Sequence, residues 1–172
     1  MLEAVDTDLW LTEGPVVDFH GFPYPTRSII VRRKRSDLPF EPALEDVPPE
    51  DWQGVFEQAW FRGSFFMDEI AFVHRPTRTA IFADLSEHFS DDFLKRYWKG
   101  WKGVLAKPWG IVVGKGFAPL EWRLSFTNRK PARAAFEKVF ATHPDRIIMA
   151  HGEWVKTGGE AFLRQAFAWL IR

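Results

Sequence analysis

The chain has 172 residues, no cysteine, and 23 basic and 23 acidic side chains, so its formal net charge is +0. Zero net charge argues against the broad positive field of a general nucleic-acid-binding protein, and the lack of cysteine excludes disulfides, thiolate nucleophiles and cysteine-ligated metals. Any metal site would use His, Asp and Glu. A hydrophobic content of 46% is typical of globular chains, and the length suits one domain over residues 1–172. The N-terminus lacks a signal segment, which predicts a cytoplasmic protein.

The N-terminal part of the chain predicts short strands followed by a connector. The predicted strands are rich in apolar and β-branched residues, and they cover residues 9–11, 16–19 and 28–32. Pro23 and Pro25 predict an irregular segment over residues 21–25, because proline has no N–H to donate to a β-ladder. Residues 32–50 combine a basic run with several prolines, and this composition predicts a connector without regular structure.

The next segments predict a β-hairpin. A strand is predicted over residues 54–61, and two apolar runs follow over residues 69–73 and 79–83. A short connection containing Pro76 joins these two runs, and its length suits an antiparallel pair. The second run leads directly to Asp84.

Two helices are predicted after the hairpin. Ser90 is a favourable N-cap for the first, which continues through Leu105 and stops at Pro108. Its apolar positions are predicted to share one face, and they are Phe93, Leu94, Tyr97, Trp98, Trp101, Val104 and Leu105. The second helix begins near Asn128, and its apolar stripe consists of Ala132, Ala135, Phe136, Val139 and Phe140.

The C-terminal part predicts one more strand and one more helix. The strand covers residues 145–150, and a capping box at Thr157-Gly158-Gly159-Glu160 opens a helix that runs through Leu170. Strands first, and then strands interleaved with helices, predict an α/β (α+β) fold in which a mixed sheet is covered by helices.

Asp84 and His151 each end a predicted strand, and both side chains can bind a metal. A side chain at the end of a buried strand lies at a rim of its sheet, where active sites collect. Each also has a structural alternative. Asp84-Leu85-Ser86-Glu87 fits a helix cap, and His151 can turn the chain before Gly152.

A metal site requires further ligands. Structural and catalytic zinc sites have three or four protein ligands, and Asp84 with His151 supplies only two. Water, His88 or His20 would have to complete such a site. The sequence therefore predicts at most one weakly bound divalent ion.

Short phrases in a fixed order cover nearly the whole chain. They are Leu9-Trp10-Leu11 to Gly14-Pro15, Phe19-His20-Gly21-Phe22-Pro23-Tyr24-Pro25-Thr26-Arg27, Arg62-Gly63, Glu69 to Pro76, Ala83-Asp84-Leu85, Leu124-Ser125-Phe126, Ala150-His151-Gly152 and Ala166-Phe167-Ala168-Trp169-Leu170. In this order they resemble the metallo-β-lactamase superfamily, and most closely its family labelled domain of unknown function 4336 (DUF4336).

The resemblance implies a truncated αββα sandwich with one or two metal ions, commonly zinc, at the sheet edges. It places Asp84 on the metal-bridging aspartate and His151 on the final histidine ligand, so the two residues, each of which ends a predicted strand, are expected to meet at one rim. The chain departs from the pattern at Arg62-Gly63, where Gly-His is common, and no pair among its 5 histidines has the His-x-His-x-Asp-His spacing. The resemblance also implies that an internal segment is missing, with a seam near residues 32–35.

The stretch over residues 93–109 is both basic and aromatic. Its candidate surface for a membrane or a partner consists of Lys95, Arg96, Trp98, Lys99, Trp101 and Lys102. An interfacial helix on an anionic membrane has this composition, and so has a stacking surface for single-stranded nucleic acid. The structural alternative is an amphipathic helix whose aromatic stripe covers the sheet while its lysines are solvated.

Three functions are therefore considered. The first is a degenerate metallo-β-lactamase-like domain of unknown function without efficient catalysis, whose partner is an unidentified small molecule or protein. The second is a weak hydrolase that uses Asp84 and His151 with one zinc or other divalent metal and a water nucleophile. The third is a peripheral membrane or partner-binding module using the helix over residues 93–109. The missing segment also predicts self-association through an exposed sheet edge.

Overall fold

The computed structural model of the protein describes residues 2–32 and 45–172, and it arranges them as two β-sheets, six α-helices and a short 3-10 helix. This arrangement confirms the predicted α/β (α+β) class. The proposed seam near residues 32–35 lies, apart from Arg32, outside the described residues, as does much of the predicted connector. The truncated metallo-β-lactamase-like sandwich, the single-domain organisation and the self-association stay predictions.

The first sheet is antiparallel and contains β1 (Leu2–Asp6), β2 (Leu9–Phe19) and β3 (Phe22–Val31), in that spatial order. The predicted strands over residues 9–11 and 16–19 are one strand, because β2 continues through Gly14-Pro15 with a register shift between Glu13 and Val16. A shift of this kind is a β-bulge, which absorbs extra residues without ending the strand.

The prediction of an irregular segment over residues 21–25 is wrong. β3 starts at Phe22, and Pro23 and Pro25 pair with Asp18 and Val16 of β2. The reason is that β3 is an outer strand of its sheet, where a proline can occupy a position whose missing N–H would face away from the neighbouring strand.

The second sheet contains β4 (Phe56–Phe61), β5 (Glu69–His74), β6 (Thr79–Phe82) and β7 (Arg146–Met149), in that order. β4, β5 and β6 are antiparallel, which confirms the predicted hairpin, whereas β7 lies parallel to β6. Because parallel strands end at the same rim, the register that pairs Phe82 with Met149 brings the following residues of both strands together.

The helices are α1 (Asp91–Tyr97), α2 (Trp101–Trp109), α3 (Leu120–Ser125), α4 (Arg129–Phe140), α5 (Gly159–Ala166) and α6 (Ala168–Ile171). One apolar cluster fills the space between the second sheet and α3 to α6. Another lies between α1, α2 and the tip of the β2–β3 hairpin. The prediction for α4 is confirmed, since Asn128 accepts the Lys130 N–H at 3.2 Å and the four buried residues belong to the predicted stripe.

The predicted first helix is two helices. Ser90 caps α1 as expected, but Gly100, with φ +66°, separates α1 from α2. Pro108 lies inside the last turn of α2 instead of stopping it, and Gly110 ends the helix in a left-handed conformation. Trp101 and Val104 are therefore displaced from the buried face and are 63% and 71% exposed.

Two further predictions near the C-terminus need correction. The capping box at Thr157 is wrong, because Gly158, with φ 76°, is the N-cap of α5 and no side chain caps this helix. The last helix is interrupted at Phe167, where α5 ends and α6 begins. α3 was not predicted.

Within residues 2–32 and 45–172, none of the helices combines the length and the apolar character that crossing a membrane requires. The cytoplasmic location stays a prediction.

Candidate functional site

The parallel pairing of β6 and β7 places Asp84 and His151 side by side. Each residue lies two positions beyond the last paired residue of its strand. The His151 Nε2 and Asp84 Oδ1 atoms are 2.9 Å apart. The expected meeting of the two residues at one rim is therefore confirmed, whereas their role as metal ligands stays a prediction.

Glu69 holds the backbone that carries Asp84. This carboxyl lies at the start of β5, is 7% exposed, and accepts the Ala83 N–H on Oε1 at 2.8 Å. Its Oε2 accepts the N–H groups of Asp84 and Leu85, both at 2.9 Å. Burial raises the pKa of Glu69 to about 7, although these three hydrogen bonds favour its ionised form.

The structural alternative for Asp84, a helix cap, is wrong. No helix begins at Asp84, because the next helix along the chain is α1, which starts at Asp91. The side chain of Asp84 faces His151, and Glu69 binds the backbone N–H groups of this turn.

His151 is oriented by contacts on both ring nitrogens. Nδ1 lies 2.6 Å from the Pro25 carbonyl oxygen, and because a carbonyl only accepts hydrogen bonds, Nδ1 carries a proton. The edge of Tyr24 also packs against the imidazole, with ring centroids 5.0 Å apart. Burial lowers the pKa of His151, but hydrogen bonds to Asp84 and Pro25 outweigh this effect and raise it above its ordinary value. The geometry therefore fits an imidazolium–carboxylate pair.

The pair fits a hydrogen bond better than a metal site. Two ligands that bind one tetrahedral zinc at 2.0–2.2 Å are about 3.3 Å or more apart, whereas Nε2 and Oδ1 are 2.9 Å apart. Within the described ranges, which omit residue 1 and residues 33–44, no group of three or more His, Asp or Glu side chains is arranged to hold a metal ion.

Neither histidine proposed as a third ligand completes the site. In His88, Nδ1 faces the Glu153 carbonyl at 2.9 Å, and Nε2 accepts the Gly114 N–H at 3.2 Å, so both nitrogens are occupied. His20 is exposed in the turn between β2 and β3, has φ 52°, and packs against Phe19.

A cavity of about 220 Å³ opens beside the pair. Its apolar walls come from β2, β3, the segment after β4 and the start of α3, and they consist of Val17, Phe19, Tyr24, Phe66, Met67, Pro119 and Trp122. Its acidic and basic side chains are Asp84, Glu87, Glu121 and His151. A mostly apolar cavity with a few convergent polar groups is the usual form of a small-molecule site.

Glu87 is the most unusual side chain of this cavity. It is 2% exposed, and its Oε2 has no hydrogen-bond partner among the residues that the structure describes. Burial raises the pKa of Glu87 well above its ordinary value, and the charges of Asp84 and Glu121 raise it further. Burial raises the pKa of Tyr24, and the charges of Glu87, Glu121 and Asp84 raise it further.

Sequence reasoning missed the roles of Glu69 and Glu87. Glu87 was considered only as part of a helix cap, and Glu69 only as the first residue of a strand. Backbone contacts outside its own segment fix Glu87, because its N–H donates to the Phe117 carbonyl at 3.3 Å. The sequence gives an indication for Glu69 alone, since an acid at the start of a buried strand is a candidate for burial at a rim.

The predicted surface over residues 93–109 is only partly present. Trp98 is not on the surface, because it is 2% exposed and its Nε1–H donates to the Pro23 carbonyl at 2.7 Å. The hairpin tip covers it, with Phe22 at a centroid distance of 5.1 Å. Lys102 donates to the Gly21 carbonyl and lies over the Phe22 ring. The exposed members are Lys95, Arg96, Lys99 and Trp101. Binding to a membrane or a partner through them stays a prediction.

Comparisons with known proteins do not identify a relative. A scan against protein-family models, a search of curated proteins and a search of solved structures each find no match to this chain. The resemblance to the metallo-β-lactamase superfamily therefore stays a prediction from the order of the sequence phrases.

Proposed function

We propose that the chain is a degenerate metallo-β-lactamase-like domain in which a small-molecule-binding cavity occupies the position of the metal centre. The direct hydrogen bond between His151 Nε2 and Asp84 Oδ1, at the edge of the cavity, is the observation that supports this proposal most strongly. This hydrogen bond joins the two strongest candidate metal ligands, Asp84 and His151, to each other. The apolar walls beside them supply the surface that a small organic ligand would bury.

The same pair opposes efficient metal-dependent hydrolysis. A metal ligand must present a lone pair, but in the imidazolium–carboxylate pair both ring nitrogens of His151 carry a proton. A metal would have to displace the Nε2 proton and separate the two side chains. The domain is therefore proposed to hold at most one weakly bound divalent ion and to be a poor generator of metal-bound hydroxide.

A cavity-blocking substitution tests the proposal. The probe is 2-phenylethanol, a neutral one-ring compound, observed by saturation-transfer NMR. Val17→Trp is expected to abolish binding, because Val17 lines the cavity and is partly exposed at its mouth. Val16→Trp is the matched control, since Val16 is the preceding residue of β2, is similarly exposed and does not line the cavity. Failure of the wild type to bind, or equal binding by both variants, would contradict the proposal.

Metal analysis provides an independent arm of the same test. Protein purified without chelator is expected to contain far less than one equivalent of zinc, and Asp84→Ala and His151→Ala are expected to leave that content unchanged. A stoichiometric metal that both substitutions remove would instead support the single-metal hydrolase.

A further inference from the structure

The cavity is lined by more carboxyl groups than basic side chains. Asp84 is paired with His151, but Glu87 and Glu121 face the same space, and neither forms a salt bridge with a residue in the described ranges. No lysine or arginine lines the cavity within those ranges. The charge of Arg27 lowers the pKa of His151, but Arg27 does not line the cavity. It forms a salt bridge with Glu13, with Nη2 and Oε1 2.5 Å apart. Once Glu87 is ionised, the site is complementary to a positive charge.

Glu87 indicates where that charge would bind. Its side chain is almost fully buried, it lines the cavity, and Oε2 lacks a hydrogen-bond partner in the described part of the chain. Buried polar atoms in folded proteins are nearly always hydrogen-bonded, because an unmet hydrogen bond is unfavourable away from water. A ligand with an N–H donor would satisfy this oxygen.

The walls indicate what carries the charge. Tyr24, Phe66 and Trp122 present aromatic surface to the cavity, and aromatic faces attract ammonium groups as well as apolar groups. The volume is about 220 Å³, between the cavity of about 150 Å³ that holds benzene and the pockets of about 300 Å³ or more that hold drug-sized ligands. A ligand with one ring or a short alkyl chain fits this range.

We propose that the cavity selects a small organic cation, an ammonium group on an aromatic or aliphatic body, and that the Glu87 carboxylate accepts a hydrogen bond from the ammonium. This proposal rests on the small-molecule cavity proposed above and names the ligand class that it takes. A bare divalent ion would leave the apolar walls without a function, so it is the competing outcome of the test.

Binding of such a cation is coupled to the release of a proton from Glu87. Burial and the charges of Asp84 and Glu121 raise the pKa of Glu87, so its carboxyl is protonated over a wider pH range when the cavity is empty. An arriving ammonium favours the carboxylate, and the Glu87 proton then passes to the solvent. Each cation bound should therefore release up to one proton, and the affinity should rise with pH while Glu87 titrates. The other titratable groups facing Glu87 are Asp84, Glu121, Tyr24 and His151.

The test compares three probes of similar size by isothermal titration calorimetry. They are phenethylammonium, 2-phenylethanol and phenylacetate, which are cationic, neutral and anionic. The cation is expected to bind at least about tenfold more tightly than the alcohol, a difference that one charged hydrogen bond can supply. Phenylacetate is expected not to bind. Titrations in two buffers of different ionisation enthalpy measure the released proton.

Glu87→Gln keeps the shape of the side chain and removes its charge. It is expected to lower the affinity for phenethylammonium at least about tenfold and to abolish the proton release, while binding of 2-phenylethanol is retained. Glu153→Gln is the matched control, because Glu153 is exposed and does not line the cavity. A thermal melt of each variant confirms that it is folded.

The outcomes separate the two proposals. If wild-type protein binds the alcohol as tightly as the cation, or Glu87→Gln keeps the preference for the cation, the cation proposal is overturned and the cavity proposal stands. If Mg²⁺ or Zn²⁺ alone binds through Glu87 and the organic probes do not displace it, the cation proposal is overturned in favour of an inorganic ion. If neither the cation nor the alcohol binds the wild type, both proposals are overturned.

Discussion

Replacing Glu69 with Ala is expected to lower the free energy of unfolding by at least about 3 kcal/mol, because three buried hydrogen bonds to one carboxyl group disappear together. The N–H groups of Ala83, Asp84 and Leu85 would each lose their acceptor. The turn that carries Asp84 would then loosen. Urea denaturation measures the change.

Two further variants separate this effect from a general effect of charge. Glu69→Gln keeps one acceptor oxygen but turns an amide N–H₂ toward a backbone N–H, so an intermediate loss of stability is expected. Glu3→Ala removes an exposed carboxyl of β1 whose Lys156 partner is 3.7 Å away, and a change below about 0.5 kcal/mol is expected. A loss of less than about 1 kcal/mol for Glu69→Ala would contradict the described contacts, since one such hydrogen bond exceeds it.

Gly152→Ala is expected to be as damaging, with a loss of at least about 3 kcal/mol of unfolding free energy. Gly152 has φ +95° and forms a parallel bridge with His88. An added Cβ would overlap backbone atoms of His88, which cannot move aside as a flexible side chain can. Because Gly152 follows His151, the substitution would also displace the Asp84–His151 pair. Urea denaturation and the His151 imidazole resonances measure the two effects.

Gly54→Ala is the control that isolates backbone strain. Gly54 also has a positive φ, +79°, but an added Cβ meets nothing within 4 Å. The expected loss is about 1–2 kcal/mol, the strain of a left-handed alanine alone. Equal losses at the two positions would show that Gly152 has no special contact with His88.

The strands were predictable because they depend on local patterns, whereas the expected meeting of Asp84 with His151 also needed the resemblance, which implies that both lie at one site. An apolar run that ends in a ligand-type residue indicates a strand that ends at a rim. The parallel pairing of β6 and β7 brings the ends of both strands to the same rim. The path of β3 was less predictable. Whether a strand tolerates Pro23 and Pro25 depends on its being an outer strand, and this is a tertiary property that neighbouring sequence does not encode.

The first helix was predicted as one because periodicity alone favours continuity. Gly100 breaks it, and the buried face of α1 then packs Trp98 under the β2–β3 hairpin tip, far away in sequence. The roles of Glu69 and Glu87 were missed for the same reason, because they depend on contacts between segments that are distant in sequence. Both acids are buried by contacts with distant segments, and a single sequence gives no measure of such burial.

The most direct test of the central claim is an NMR titration of the His151 imidazole in the wild type and in Asp84→Asn. Contacts with Asp84 and Pro25 outweigh burial, so the wild-type pKa is expected above the ordinary 6.5 and the Asp84→Asn value lower. Because the pKa of His151 is raised in the folded protein, its contacts with Asp84 and Pro25 stabilise the folded state. This stabilisation is fully present below pH 6.5 and is lost as the pH rises through the folded pKa.

One equivalent of zinc, added below that folded pKa, is expected to leave the His151 resonances unchanged. A wild-type pKa at or below 6.5, together with resonances that zinc shifts in the wild type but not in Asp84→Asn, would contradict the claim that a hydrogen-bonded pair occupies this rim.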